Sequence, residues 1–232
     1  TLIADTAALA AFCQRQSGVD YIAVDTEFMR DKTYWPQLCL VQVAGPEEAA
    51  AIDPLAPGID LAPLLELMFD ERIVKVFHAA RQDIEIFVKL SGKVPLNIFD
   101  TQIAASVCGF GDSVSYVNLV RSLTGVELDK SSRFTDWSAR PLSEKQKVYA
   151  LADVTHLRDV YQKLLRQVDD AGRWDWVEDE LAVLESIHTY VVEPEHAWER
   201  LRTKLGKPRD IAAVKALAAW RERRAQDSDQ PR

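Results

Sequence analysis

Tyr21-Ile22-Ala23-Val24-Asp25-Thr26-Glu27-Phe28 is the stretch from which the rest of the chain is read. Tyr21 to Val24 are apolar and partly β-branched, as a short buried strand requires, and this strand runs directly into two carboxylates. Residues two apart in a strand share a face, so Asp25 and Glu27 project side by side while Thr26 points away. Two like charges this close repel each other unless a cation sits between them. Oxygen-only ligands at this spacing suit Mg²⁺ or Mn²⁺.

A chain of 232 residues with 47% hydrophobic side chains can bury one sizeable domain and carry a small appendage. Cys13, Cys39 and Cys108 are scattered through apolar surroundings, which excludes a disulfide framework and a C-x-x-C zinc site and fits a reducing, cytoplasmic compartment. No apolar run approaches the roughly 18 residues of a membrane span, and Thr1 to Asp5 lack the charged and apolar regions of a signal peptide. The net charge of −8 is unevenly spread: residues 200–232 hold ten lysines and arginines against four acids. An acidic body with a basic tail points to a metal site in the body and a nucleic-acid-contacting segment behind it.

The local patterns predict a strand and helix over Leu2 to Cys13, with Asp5 or Thr6 as helix N-cap. After the opening strand, Met29 to Gln37 is turn-like. Leu38 to Ala44 and Ala49 to Asp53 then read as two strands joined at Gly45-Pro46, completing an antiparallel meander. The texture changes to strands alternating with helices: helix over Leu61 to Phe69, strand over Ile73 to Phe77, helix over Gln82 to Leu90, strand over Asn97 to Phe99, helix over Thr101 to Val107. A meander followed by βαβ units implies an α/β fold, a mixed sheet with helices on both faces. The longest helix is predicted from Ser143 to Val168, opening on a capping signature. Residues 174–205 read as two helices broken at Pro194, Gly206-Lys207-Pro208 as a linker, and 209–225 as a basic amphipathic helix with Ile211, Val214, Leu217, Ala218 and Trp220 apolar. Alone, such a helix cannot bury that face, so it either opens a further domain or docks back on the body.

Two more acids are placed to join the first pair. Asp83 lies in the first turn of the helix after strand 73–77, next to the carboxyl ends of the strands, where α/β sheets bind ligands. Asp153 lies four residues after Tyr149 on the longest helix, which stacks the two side chains on one face. D-x-E on a strand, a middle Asp at a helix start and Tyr-x-x-x-Asp on a late helix resemble the DEDD exonuclease superfamily. Position 148 is Val rather than His, which indicates the tyrosine subtype. Asp25-Thr26-Glu27-Phe28 with Tyr34-Trp35-Pro36-Gln37-Leu38, Phe99-Asp100-Thr101-Gln102, Leu128-Asp129-Lys130-Ser131 with Asp136-Trp137, and Arg140-Pro141-Leu142-Ser143 leading to Tyr149 and Asp153 sharpen the resemblance to the ribonuclease D family over residues 1–170. Ala219-Trp220-Arg221-Glu222-Arg223-Arg224 resembles the opening of the helicase-and-RNase-D C-terminal (HRDC) domain.

This resemblance implies a ribonuclease-H-like exonuclease domain over 1–170, a helical connector over 171–206, and the start of an HRDC-like helical domain over 207–232. It also implies 3'-5' hydrolysis of RNA 3' ends, tRNA precursors among them, releasing nucleoside 5'-monophosphates. Two divalent cations roughly 4 Å apart can supply both the nucleophile and the leaving-group stabilisation that phosphodiester hydrolysis needs. Asp25 would bridge them, Glu27 and Asp153 would complete the first, and Asp83 would hold the second. Tyr149, with an ordinary pKa near 10, is assigned to orienting the attacking water. Thr26, Phe28 and His78 are expected near the terminal nucleotide, and Lys130, Arg133 and Arg140, interleaved with Phe134 and Trp137, near phosphates and bases. Gly109-Phe110-Gly111 follows a helix, and there is no G-x-x-x-x-G-K loop, so no nucleotide cofactor is expected. A monomer is expected. The alternatives are a DNA-directed 3'-5' exonuclease on the same scaffold and a nucleic-acid-binding module that has lost its chemistry; retention of all four acids and the tyrosine disfavours the latter.

Overall fold

A computed structural model describes residues 1–129, 131–132, 135–202 and 206–232. Strand Leu2–Ile3 (β1) and helix Thr6–Gln16 (α1) precede strands Tyr21–Met29 (β2), Gln37–Ala44 (β3) and Ala49–Ile52 (β4). Helix Ala62–Met68 (α2), strand Val74–Phe77 (β5), helix Arg81–Ser91 (α3), strand Ile98–Asp100 (β6) and helix Thr101–Val107 (α4) follow. Helices Tyr116–Thr124 (α5), Glu144–Ala171 (α6), Trp174–Glu185 (α7) and Pro208–Ser228 (α8) make up most of the remainder. The six strands form one sheet in the order β1-β4-β3-β2-β5-β6. β2, β3 and β4 pair antiparallel, while β1 with β4, β2 with β5 and β5 with β6 pair parallel. This is the mixed sheet flanked by helices that the patterns predict. Among the described residues, no helix is long and apolar enough to cross a membrane.

The opening strand is longer than predicted: β2 continues through Asp25 and Glu27 to Met29, because β3 pairs with it all the way to Met29↔Gln37. Its other neighbour, β5, pairs only from Tyr21 to Ala23. The carboxylates therefore sit inside an antiparallel pair yet beyond the parallel one, at an edge where the sheet opens. A register shift between Glu27 and Phe28 marks a bulge there, a feature that re-aims side chains beside active sites.

The two faces of the sheet are built differently. Directly opposed residues share a face, so the pairs Ala23↔Ala44, Asp25↔Gln42, Gln42↔Ala51 and Ala44↔Ala49 define a face of small residues interrupted by one acid and one amide. α6 lies across β2, β3, β4 and β5. Its Ala150 joins a buried cluster with Leu40 and Ala51 of that face. Small side chains on both partners allow the close approach that brings helix-borne groups to the strand carboxylates. The helix is started by Ser143, whose Oγ accepts from Gln146 N while the Gln146 side chain accepts from Ser143 N at 3.0 Å, a capping box of the predicted kind. α1 is capped by Asp5, which accepts from Ala8 N at 2.8 Å.

After α7 the chain departs from the pattern. Residues 187–189 and 194–200 are short 3-10 helices rather than a second α-helix, with Pro194 opening the latter instead of breaking a longer one. α8 packs against that 3-10 segment and against the loop after β2. Its buried positions are Ala218, Ala219, Glu222 and Ala225, whereas the predicted apolar residues Leu217 and Trp220 are 65% and 59% exposed. Glu222 is buried because it is compensated: it accepts from the Tyr34 hydroxyl and from the Arg232 guanidinium at 2.6 and 2.7 Å. Asp229 accepts from Trp35 N at 2.9 Å. Docking of α8 is thus a polar clamp over a small-residue contact, a pattern that apolar periodicity does not detect.

Candidate active site

The open edge beside β2 is the floor of a cleft of about 600 Å³. Asp25, Glu27 and Asp153 each offer a carboxylate oxygen within 4.8 Å of the other two. The first two come from alternate positions of β2, the third from α6 across the alanine face. The fourth acid arrives from the opposite side. Thr26 points away from Asp25, as the strand period requires, and its hydroxyl donates to Asp83 at 2.5 Å, tying the first turn of α3 to the middle of the D-x-E pair. Asp83 is buried. Burial, and then the neighbouring Asp25 charge, raise its pKa well above the usual carboxylate range. Burial likewise pushes Asp25 up to about 6. Burial is the first cause of both shifts: it disfavours the ionised form of each acid.

Tyr149 lies on the α6 face that carries Asp153, and both line the cleft. Burial first, then the charges of Asp153, Glu27 and Asp25, move its ionisation well above the ordinary phenol range. It is a donor here, not a base. Its ring rests near Trp137, with centroids 6.0 Å apart.

Phe28, Thr26 and His78 line the cleft. His78 is doubly engaged: Nδ1 is 3.0 Å from Thr101 Oγ1 and Nε2 is 3.2 Å from the Val114 carbonyl. Burial lowers its pKa, so the ring is held neutral. Gln102 Nε2 donates to the same Val114 carbonyl at 3.1 Å, and together the two side chains fix the segment bearing Ser113 and Ser115 on the cleft wall. Arg140, expected at phosphate, is a correction. It is not among the cleft-lining residues; its guanidinium holds Asp53 through two contacts of 2.7 Å and also donates to the carbonyls of Cys39, Trp137 and Ala139. A guanidinium with its donors so committed has none left for a ligand. Lys130 and Arg133 lie outside the described residues.

Two further side chains support the site. Tyr116 lines the cleft and donates its hydroxyl to the Asp153 carbonyl, anchoring the helix turn that carries the acid. Asp100 accepts from Ala79 N at 3.0 Å, Ala80 N at 2.8 Å and Gln102 N at 2.7 Å. It thereby holds Ala79 in the left-handed region at φ 58° and sets the turn from which α3 presents Asp83. The sequence signal for Asp100 was its place at a strand end before a helix; nothing local marked Tyr116.

The family model for the 3'-5' exonuclease domain matches residues 1–169. The chain belongs to the 3'-5' exonuclease family. Within it, the chain is 54% identical over 231 residues to ribonuclease D of Gluconacetobacter diazotrophicus, covering 100% of this chain and 59% of that protein. To ribonuclease D of Bartonella henselae it is 54% identical over 213 residues, 92% of this chain and 52% of that one. It therefore spans little more than half the length of these relatives. The crystal structure of Escherichia coli RNase D, described as an exoribonuclease involved in structured RNA processing, superposes with a TM-score of 0.90 at 39% identity, over 99% of this chain and 61% of that one. Brucella melitensis NrnC with bound Mg²⁺ superposes with a TM-score of 0.67 at 26% identity, over 82% of this chain and 92% of that one. The exonuclease fold and the acidic cluster together point to the use of divalent metal.

Proposed function

We propose that this chain is the catalytic part of a divalent-cation-dependent 3'-5' exoribonuclease that shortens RNA 3' tails, tRNA precursors being the class implied by its ribonuclease D relatives. The reading assigns catalysis to residues 1–170, a connecting role to 171–206 and the opening of an HRDC-like unit to 207–232, and places a monomeric enzyme in the cytoplasm. The single observation that carries it is the convergence of the Asp25, Glu27 and Asp153 carboxylates, with Asp83 tied to the same strand through Thr26.

The donor set fits hard cations. It is made of carboxylate oxygens and includes no sulfur or imidazole. Asp25, Glu27 and Asp153 would hold one cation, and Asp25 with Asp83 a second. Mg²⁺ or Mn²⁺ bound there would supply an activated water and offset the charge that develops on the phosphodiester oxygens.

The chain's own groups do the positioning. The Tyr149 hydroxyl, kept protonated, orients Asp153 and offers its oxygen toward the cleft, where it fixes the attacking water. The Tyr116 hydroxyl holds the same acid from its backbone side. Phe28 presents an aromatic face to the terminal base, while Thr26, its hydroxyl committed to Asp83, meets the substrate through its backbone. Matched single-stranded RNA and DNA oligonucleotides, each with and without Mg²⁺ or Mn²⁺, test the proposal. Cation-dependent release of nucleoside 5'-monophosphates from RNA is expected. Hydrolysis that persists after exhaustive chelation, or that acts on DNA alone, overturns it.

A further inference from the structure

Gln42 is the one amide on the alanine face of the sheet that α6 covers. It is fully buried, and among the described residues neither its Nε2 nor its Oε1 finds a hydrogen-bond partner. Buried amides are almost always bonded, so such a group calls for a physical reason. Its surroundings narrow the choice. On one side its cross-strand neighbour is Ala51, which has no polar side-chain atom; on the other it is Asp25. Opposed residues in an antiparallel pair bring their Cβ atoms to about 4.5–5.5 Å, within reach of a glutamine amide for an aspartate carboxylate. Above them α6 contributes Ala150 to the cluster of Leu40 and Ala51.

We infer that Gln42 is a positioning residue for Asp25: its carboxamide, without a partner among the described residues, donates its N–H to the Asp25 carboxylate from within the sheet when that acid turns to hold a cation, and fixes its orientation there. The inference rests on the reading of Asp25 as a cation ligand. An ionised carboxylate has about four lone-pair directions, so one acid can serve the cluster with Glu27 and Asp153 and still accept from an amide behind it. Groups that hydrogen-bond a metal ligand fix its orientation, and their loss typically lowers metal affinity or activity about 10- to 100-fold. A glutamine suits the task because it brings a donor without a charge. A lysine or arginine there would neutralise the acid and compete with the cation, and a leucine would leave the carboxylate free to rotate.

Gln42→Met, unbranched and of similar length, is the test, with Gln42→Leu as a second variant. Thermal unfolding of cation-free protein, Mn²⁺ titration followed by calorimetry or electron paramagnetic resonance, and steady-state RNA hydrolysis are measured on each and on wild type. Without cation both variants should melt at or above the wild-type temperature, because a buried amide without a partner has been replaced by apolar atoms. Mn²⁺ affinity should fall about 10- to 100-fold and kcat with it, while KM for RNA stays within about twofold. Wild-type-like Mn²⁺ binding in both variants overturns the inference and leaves the nuclease reading intact. A lower cation-free melting temperature, or failure of both to fold, makes the amide a structural group and overturns it as well. If wild type itself binds no Mn²⁺, the nuclease reading fails and this inference falls with it.

Discussion

Tyr149→Phe isolates one hydroxyl. The substitution keeps the ring beside Trp137 and all four acids, and removes only the O–H near Asp153. A polar contact from this hydroxyl to the charged acid, at the partly solvated position of Tyr149, falls between an ordinary hydrogen bond and one to a fully buried charge, about 1–2 kcal/mol. If that energy is realised in the transition state, with about 1.4 kcal/mol per tenfold, single-turnover hydrolysis slows roughly 5- to 30-fold. Loss of the water-orienting contact adds to this, within the 10- to 10³-fold range typical of positioning and proton-handling groups. RNA affinity should hardly change, and Mn²⁺ should still bind, because Tyr116 continues to anchor the turn that carries Asp153. Rapid-quench hydrolysis of end-labelled RNA at saturating enzyme, with a parallel Mn²⁺ titration, reads both effects. A rate within about twofold of wild type would refute the role of the phenol, and abolished Mn²⁺ binding would show that it supports the ligands instead.

Asp25→Asn should lower turnover by two orders of magnitude or more while cation-free protein melts at the same or a higher temperature, since a crowded negative charge is removed; thermal unfolding and hydrolysis on one preparation check it. Tyr34→Phe keeps the edge contact with Trp35, at 4.7 Å between centroids, but takes one donor from buried Glu222. About 1–2 kcal/mol of stability and faster proteolytic release of α8 are expected, and unchanged melting and cleavage would show that the clamp holds nothing. Lys75 is fully buried on β5, its ammonium donating to the carbonyls of Asp70 and Ile73 at 2.6 and 2.7 Å, and burial pushes its pKa from 10.5 down to about 8. Between those values the unfolded chain binds the proton that the folded chain has released, so stability should rise with pH, by up to about 3 kcal/mol. Denaturant titrations of wild type against Lys75→Met across pH 7 to about 10.5 should show this gain in wild type only.

Much of this architecture is local and could be read from the chain alone. Strand alternation places Asp25 and Glu27 on one face and Thr26 on the other; helical spacing stacks Tyr149 over Asp153; Ser143 with Glu144, and Asp5 or Thr6, announce helix starts, and the structure caps those helices with Ser143 and Asp5. These features depend on neighbours within a few residues, where backbone geometry leaves few choices. The family pattern then supplied the expectation that distant acids meet. What only the tertiary structure decided is the set of partners that long loops and helix docking bring together. Arg140 finds Asp53 across 87 positions and is spent there, although its composition suited phosphate equally well. Glu222 is buried because Tyr34, 188 residues earlier, meets it, so α8 docks by a polar clamp while Leu217 and Trp220 stay outside. Tyr116 and Gln42 carried no local mark at all. Their significance comes from lying beside Asp153 and Asp25, which is settled by the register of the sheet and by α6 lying over a face of alanines, and no stretch of sequence encodes a register by itself.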